Sequence, residues 1–233
     1  MIAAAAAARV TLQVGFMRRF DRGFVQARER VARGEIGRVV QVKSLTHGPS
    51  MPRPWMYDLR VSNGPLAEVN SHDIDTLRWF TGSEFRTVYA LGGNYRCPGA
   101  RQAFPDFYDN VLLVASFADG GQGMIGGAQG VGYGYDARVE VLGTEGILMI
   151  GGLGDTTVVT CTAAGLVRPV VKSWTDLFRD AYRAEDEDFV GCIREGRLPR
   201  AGGVDGKRAV EVVNAGNESI RTGLPVRLGE VAP

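Results

Sequence analysis

The chain has 233 residues, of which 45% are hydrophobic, and this is enough to bury one sizeable core. Its formal net charge of +1, with 23% charged residues, gives no electrostatic reason to expect nucleic acid or an anionic membrane as a partner. No apolar run approaches the roughly 20 residues that span a bilayer, and the three cysteines are scattered without a C-x-x-C pair, so neither a disulfide framework nor a zinc ribbon is indicated.

The chain opens with an alanine run over residues 3–8. No basic residue precedes this run, and it leads directly into Arg9, so it does not resemble a signal peptide. It is typical of the last turns of a helix, which suggests that the chain begins inside a larger fold. We therefore expect residues 1–9 to be the remnant helix of a preceding domain and residues 10–233 to form one further domain.

Hydrophobic periodicity predicts the remaining elements. Helices are predicted over residues 21–33 (with Asp21 as N-cap), 63–80, 174–195 and 205–221, and strands over residues 10–16, 38–45, 85–91, 110–117, 122–128, 138–142, 147–150, 156–162 and 167–171. Residues 48–64 are rich in Pro and Gly and predict a loop, while the acidic run 185–188 predicts a solvated turn. This order favours an α+β fold with the helices on one face of the sheet.

The predicted helix over residues 63–80 is the most informative segment. At 3.6 residues per turn, one side carries an apolar stripe: Leu66, Val69, Ile74, Leu77 and Phe80. The opposite side places Glu68, His72, Asp75 and Trp79 within an arc of roughly 60°. An imidazole between two carboxylates can move protons, and the chain has only two histidines.

Two other interpretations of this helix remain open. His72 can be a buried histidine satisfied by a neighbouring carboxylate, with Trp79 as ordinary packing. Alternatively, Glu68, His72 and Asp75 can approach one metal ion, although a complete site needs further ligands.

A nucleotide site is not indicated. A dinucleotide fingerprint needs Gly-x-Gly-x-x-Gly between a strand and a helix. The best candidate, Gly152-Leu-Gly154, lacks the third glycine and continues as predicted strand.

Three segments together resemble the C-terminal domain of the glucose–fructose oxidoreductase / inositol dehydrogenase (Gfo/Idh/MocA) family. They are the run from Leu12 to Asp21 with Gly34-Glu-Ile-Gly37, the segment 63–80, which is similar to Gly-Gly-x-x-x-Asp-x-x-x-His-x-x-Asp, and the strand from Gly134 into Gly143-Thr-Glu-Gly146. The likeness covers nearly the whole chain in the right order. It implies a largely antiparallel, open-faced mixed sheet with helices on one face, similar to the glyceraldehyde-3-phosphate-dehydrogenase-like domain.

The resemblance also implies roles for particular residues. His72 stands where the family has its general base and Glu68 where the family has an Asp, a departure that moves the carboxylate at a place where about 1 Å matters. Arg19, Asp75 and Tyr135 are expected to bind substrate, although Arg19 and Asp21 can equally form a structural ion pair.

Family members carry an N-terminal Rossmann domain before the position of residue 10, with a Gly-rich turn and a catalytic Lys in a Glu-Lys-Pro motif. Both are absent here, so NAD or NADP is implied by the family, but we expect no cofactor and no metal to be bound by this chain alone. On this interpretation residues 1–9 are the remnant of that cofactor domain, and residues 10–233 serve substrate binding and oligomerisation.

Two functions remain open. In the first, the chain is the substrate-side domain of an NAD(P)-dependent oxidoreductase acting on a sugar, inositol or related polyol, and it is not catalytic alone. In the second, it is a non-catalytic oligomerisation or binding module, or a degenerate fragment. The expected small-molecule partner is a sugar or polyol, and a separate Rossmann-domain subunit is a further expected partner. A second copy of the chain is expected to bind through the outer sheet face, which would carry apolar residues such as Leu113, Ala115, Met124 and Ile125. We expect a cytoplasmic location and no binding to nucleic acid or membranes.

Overall fold

A computed structural model of the protein describes residues 1–229. The helices are α1 (Ile2–Ala8), α2 (Arg22–Ala32), α3 (Leu59–Ser62), α4 (Gly64–Glu68), α5 (Ser71–Thr81), α6 (Trp174–Leu177), α7 (Arg179–Glu195) and α8 (Gly203–Thr222). The strands are β1 (Val39–Gly48), β2 (Phe85–Gly93), β3 (Asn110–Phe117), β4 (Gln122–Gln129), β5 (Asp136–Gly143), β6 (Ile147–Ile150), β7 (Thr160–Thr162), β8 (Gly165–Val167) and β9 (Val226–Arg227). Residues 230–233 of the expected domain lie outside the described residues.

Seven strands form one mixed sheet in the order β6-β5-β1-β4-β3-β2-β9, and β7 pairs with β8 in a separate hairpin. The β1–β4 pair is parallel, and the other pairs of the large sheet are antiparallel. Helices α5 and α8 pack on β1 and β2 of this sheet. The expected fold class, an α+β domain with a largely antiparallel open-faced sheet, is therefore confirmed.

Strand alternation decides which side chains meet the helices. Leu113 and Ile125, which are register partners on β3 and β4, are fully buried against the helices, whereas Leu112 and Val114 point to the open face. The prediction that Leu113 and Ile125 belong to the outer face is wrong, because the residues next to them in each strand point outward instead. Ala115 also packs against the core, so of the predicted outer-face set only Met124, opposite Val114, alternates outward.

The segment before α2 is not the predicted strand. Residues 10–16 make only an isolated bridge, between Gln13 and Gly202, and the chain then forms a 3-10 turn over Met17–Phe20. Asp21 is the N-cap of α2, as predicted, because its side chain accepts hydrogen bonds from the backbone N–H groups of Gly23 and Phe24. It is therefore not the ion-pair partner of Arg19.

The predicted helix over residues 63–80 is divided. Helix α4 ends at Glu68 and α5 begins at Ser71, with Asn70 at φ −89° and ψ 0° between them. The Asn70 amide donates to the Asp73 carboxylate (2.7 Å), a local side-chain contact that competes with helix continuation. Because of this break, Glu68 and His72 are not held on one continuous helical face.

The second long helix is also interrupted, at Phe178 between α6 and α7. The acidic run 185–188 lies within α7 rather than in a solvated turn, and Glu185 and Asp188 are buried. Strands were predicted over residues 156–162 and 167–171; the hairpin occupies Thr160–Thr162 and Gly165–Val167 instead. Within residues 1–229 no helix combines the length and the apolar character that crossing a membrane requires.

Candidate active site

A buried polar network lies under the start of α5. Its centre is Asp73, which is fully buried and accepts hydrogen bonds from Arg18 (2.8 Å), Thr46 (2.8 Å) and Asn70 (2.7 Å), and from Ser44. Ser44 and Thr46 are the inward residues of β1, so strand alternation itself places two hydroxyl groups beneath the helix. The network therefore fixes the first turn of α5 on the sheet.

Arg18 supplies the cation of this network. Its side chain is 2% exposed, and its guanidinium lies against the rings of Phe24 (5.6 Å) and Phe178 (6.0 Å). Burial alone lowers the pKa of Arg18, but the Asp73 carboxylate raises it, and the net pKa lies above the ordinary value. Arg18 therefore stays charged, and Asp73 neutralises it inside the core.

His72 precedes Asp73 and faces the other way, towards a cavity. Its ring meets Phe16 edge to face (5.9 Å), and its Nδ1 is buried without a hydrogen-bond partner in the described part of the chain. Burial, reinforced by the Arg18 cation and opposed by the Asp73 carboxylate, lowers the pKa of His72 from 6.5 to about 4. At neutral pH the ring is uncharged, and its free nitrogen can accept a proton.

The cavity beside His72 has a volume of about 230 Å³. Among residues 1–229, its walls combine hydroxyl, amide and aromatic groups with a single carboxylate and without a Lys or Arg side chain. The lining residues are Met17, Thr46, Gly48, Pro49, Ser50, Glu68, Val69, His72, Gln129, Tyr135, Trp174 and Tyr182. Tyr135 is buried, and burial, opposed by Arg18, raises the pKa of its phenol to about 12. The cavity thus offers uncharged hydrogen-bonding groups and ring faces, which suit a small neutral polyhydroxylated ligand.

The structure brings together three of the five predicted site residues. His72, Glu68 and Tyr135 line the same cavity. Arg19 and Asp75 do not: they form a buried ion pair (2.6 Å), and Arg19 also binds Asp205 (2.9 Å). Their hydrogen-bonding groups are occupied by one another, and neither residue lines this cavity, so we assign them no contact with a ligand bound there.

Sequence reasoning missed several groups of this site. Helical periodicity selects the face that carries Glu68, His72 and Asp75, and Asp73 lies off that face. The polar alternation of Ser44 and Thr46 along β1 is a usable signal, since inward polar residues on a strand need buried partners. Tyr182, Trp174 and Gln129 reach the cavity from three distant parts of the chain, and no local pattern connects them.

The glycines of the best fingerprint candidate do not form a dinucleotide-binding turn. Gly152 and Gly154 lie in a loop after β6, and Gly154 forms an isolated bridge with Val170 where a fingerprint requires a helix. A metal is not supported either, because Asp75 is held by Arg19, and within residues 1–229 no three His, Cys, Asp or Glu side chains converge on one point.

The lowered pKa of His72 predicts a pH dependence of stability. The folded ring titrates near 4 and the unfolded ring near 6.5, so the unfolded chain binds the extra proton between these values. Stability from this group is complete above pH 6.5 and is lost as the pH falls towards 4, by up to about 3 kcal/mol. Urea unfolding across this range should show a smaller acid loss for His72→Gln than for wild type. Equal losses would contradict the account.

Comparison with known proteins identifies relatives of this chain. The GFO/IDH/MocA C-terminal domain family matches residues 24–149. The chain is 33% identical to the scyllo-inositol 2-dehydrogenase (NAD(+)) of Bacillus subtilis (strain 168), over 94% of this chain and 63% of that protein. It is 32% identical to the myo-inositol 2-dehydrogenase of Thermotoga maritima, over 96% of this chain and 66% of that protein. It thus spans less than two thirds of the length of both relatives.

A crystal structure of scyllo-inositol dehydrogenase from Lactobacillus casei, with bound cofactor NAD(H) and scyllo-inositol, superposes with a TM-score of 0.85 at 25% identity, covering 97% of this chain and 67% of that one. The family match covers more than half of the chain, and the superposition agrees with the fold. The chain belongs to the GFO/IDH/MocA family.

Proposed function

We propose that this chain provides the substrate side of an NAD(P)-dependent dehydrogenase acting on a neutral polyol, and that it is not catalytic alone. The observation that carries the proposal is the position of His72. Its uncharged ring lies on the wall of a cavity lined by hydroxyl, amide and aromatic groups. The relatives named above act on inositols, which supports a polyol as the ligand.

This chain's own residues account for binding and for the proton. A polyol hydroxyl that donates to the unprotonated ring nitrogen of His72 can lose its proton to the ring. Gln129 and Tyr135 offer partners to the remaining hydroxyls. In the family a nicotinamide accepts the hydride. The Gly152–Gly154 segment is not a dinucleotide-binding turn, so we assign that part to another polypeptide segment or a separate Rossmann-domain subunit.

The charge of the cavity narrows the substrate class. Sugar acids carry a carboxylate, which would require a cation at the binding site. The nearest buried cation, Arg18, is neutralised by Asp73, and the carboxyl side chain on the wall is Glu68, which as a carboxylate repels an anion. The lining therefore favours an uncharged cyclic polyol or sugar over a sugar acid.

A chimera tests the role of His72. Joining this chain to the NAD-binding domain of the Bacillus subtilis relative should give NAD reduction with a cyclic polyol, and the chain without that domain should give none. In the chimera, His72→Ala should lower kcat/KM by about 10²–10⁴-fold, the usual contribution of a general base. Its melting temperature should change little in comparison.

The matched control is His47→Ala, which removes the other histidine of the chain. His47 hydrogen-bonds to Tyr133 (2.6 Å) and does not line the cavity, so its loss should leave turnover nearly unchanged. If His72→Ala and His47→Ala reduce turnover equally, or if His72→Ala loses stability in proportion to activity, His72 is a structural histidine and the proposal is wrong.

A second function, assembly, is favoured by the open face of the sheet. Large apolar side chains are exposed there: Leu91, Leu112, Val114, Leu142, Ile147 and Met149. Leu91 and Leu112 are register partners on β2 and β3, so their exposed surfaces are continuous. We infer that this face joins two copies of the chain, since a contiguous apolar patch of this kind is typical of an interface. If the site proves inactive, the chain is a non-catalytic assembly module.

Leu112→Lys tests this assembly. Leu112 is 54% exposed at the middle of the open face, so a lysine there should tolerate folding but place a charge in the interface. Light scattering at tens of micromolar should give an oligomer for wild type and a smaller species for the variant. Leu198→Lys, at an apolar residue 90% exposed outside the sheet, should leave the mass unchanged. A monomeric wild type would refute the inference. A cytoplasmic location stays part of the proposal and agrees with the free thiols of Cys97, Cys161 and Cys192.

A further inference from the structure

The Arg18–Asp73 pair is connected to His72 by two short routes. Asp73 is the next residue along α5, and its carboxylate is tied to β1 through Ser44 and Thr46. The second route runs through Thr76, whose hydroxyl accepts from the Arg18 guanidinium (3.4 Å) and donates to the backbone carbonyl of His72 (2.6 Å). Arg18 thus contacts both the residue after His72 and the group that holds the backbone of His72.

This pair is a costly way to hold a core together. Removing a carboxylate and a guanidinium from water carries a large desolvation penalty, and well-packed apolar residues often stabilise the same space equally well. The turn over Met17–Phe20 and the helix α5 are already joined by the neighbouring Arg19–Asp75 pair. A second ion pair between the same two elements is therefore redundant for attaching them, and its distinguishing feature is its place beside His72.

We propose that the buried Arg18–Asp73 pair is a positioning unit for His72, which sets the ring at the cavity wall and holds it in the uncharged, proton-accepting form. The argument rests on the proposed function, because it concerns the same ring. It goes beyond that function in assigning a role to two residues that do not line the cavity.

The electrostatics of the site agree with this role. Arg18 opposes protonation of His72 and outweighs the Asp73 carboxylate, which favours it, so the pair acts in the same direction as burial. The other ionisable groups on the cavity wall come from three elements: Glu68 on α4, Tyr135 ahead of β5, and Tyr182 on α7. Both tyrosines have a raised pKa and stay neutral near pH 7, which leaves Glu68 as the remaining ionisable group there.

The test is the pKa of His72 in the chain alone, without polyol or nucleotide, measured by NMR of histidine labelled with ¹³C at Cε1. The chain has two histidines, so the His47→Gln variant assigns the signals. In wild type the ring should stay uncharged until the pH approaches about 4. In Arg18→Met the opposing cation is gone and the Asp73 carboxylate stays, so the pKa should rise by roughly one pH unit or more.

Arg19→Met is the matched control. It breaks the parallel ion pair between the same turn and helix, one residue further along each element, and so imposes a similar loss of stability. Arg19 is not among the charges that act on His72, so the pKa of His72 should stay at its wild-type value. A purely structural role for Arg18 would make the two variants behave alike.

Arg18→Met leaves a buried carboxylate unpaired and can fail to fold, so the double variant Arg18→Met/Asp73→Asn accompanies it. Because Arg18 is the stronger of the two charges on His72, the double variant should also show a raised pKa, but less than the single variant. An unchanged pKa in either folded variant, or an equal change in Arg19→Met, overturns the proposal. So does an unfolded double variant, which would show that the pair serves the fold rather than His72.

These outcomes are independent of catalysis. A chimera without activity together with a raised pKa in Arg18→Met would remove the proposed function and leave the positioning unit in place. An active chimera with an unchanged pKa in that variant would do the reverse.

Discussion

The structure depends on a charge that the core must neutralise. Arg18 is fully buried between two phenylalanine rings, and an unpaired guanidinium there would cost several kcal/mol. Asp73 supplies the counter-ion. The Asp73 carboxylate in turn accepts hydrogen bonds from Ser44 and Thr46 on β1 and from the Asn70 amide. Several irregular features follow from this requirement, namely the hydroxyl residues on the inner face of β1, the break between α4 and α5, and the close approach of Asn70 to Gly127 on β4.

The same requirement shapes the cavity. Once Asp73 is held inward, the preceding residue of the helix must point away from the network, and His72 therefore lines the cavity. The break before α5 also releases Glu68 from the helical face that carries His72, so the carboxylate reaches the cavity as an exposed rim residue. Chemistry that looks local in the sequence is thus arranged by a pair of charges in the core.

The sequence predicted most of the sheet because alternation and turn residues are local signals. The predicted strands over residues 110–117 and 147–150 agree with β3 and β6, and Asp21 caps α2. The direction in which each strand faces was harder. Leu113 and Leu112 are both apolar, so only the packing of the helices shows which of them is inside.

The site was predicted in part for the same reason. His72 and Glu68 were identified from spacing and family resemblance, but helical periodicity assumed one straight helix. The break between α4 and α5 separates Glu68 from the face that carries His72. Asp75 lies in α5 with His72, but it is paired with Arg19. Pairings such as Arg18 with Asp73 and Arg19 with Asp75 join residues more than fifty positions apart, and a single sequence holds no local pattern that selects between them.

The most direct test of the central claim is the position of a bound polyol. A crystal structure of the chain with a cyclic polyol such as myo-inositol should place one hydroxyl oxygen within hydrogen-bond distance of a ring nitrogen of His72, with the polyol in the cavity between Tyr135 and Glu68. A polyol bound elsewhere, with the cavity beside His72 empty at saturating ligand, would contradict the claim that this cavity is the substrate side of an active site.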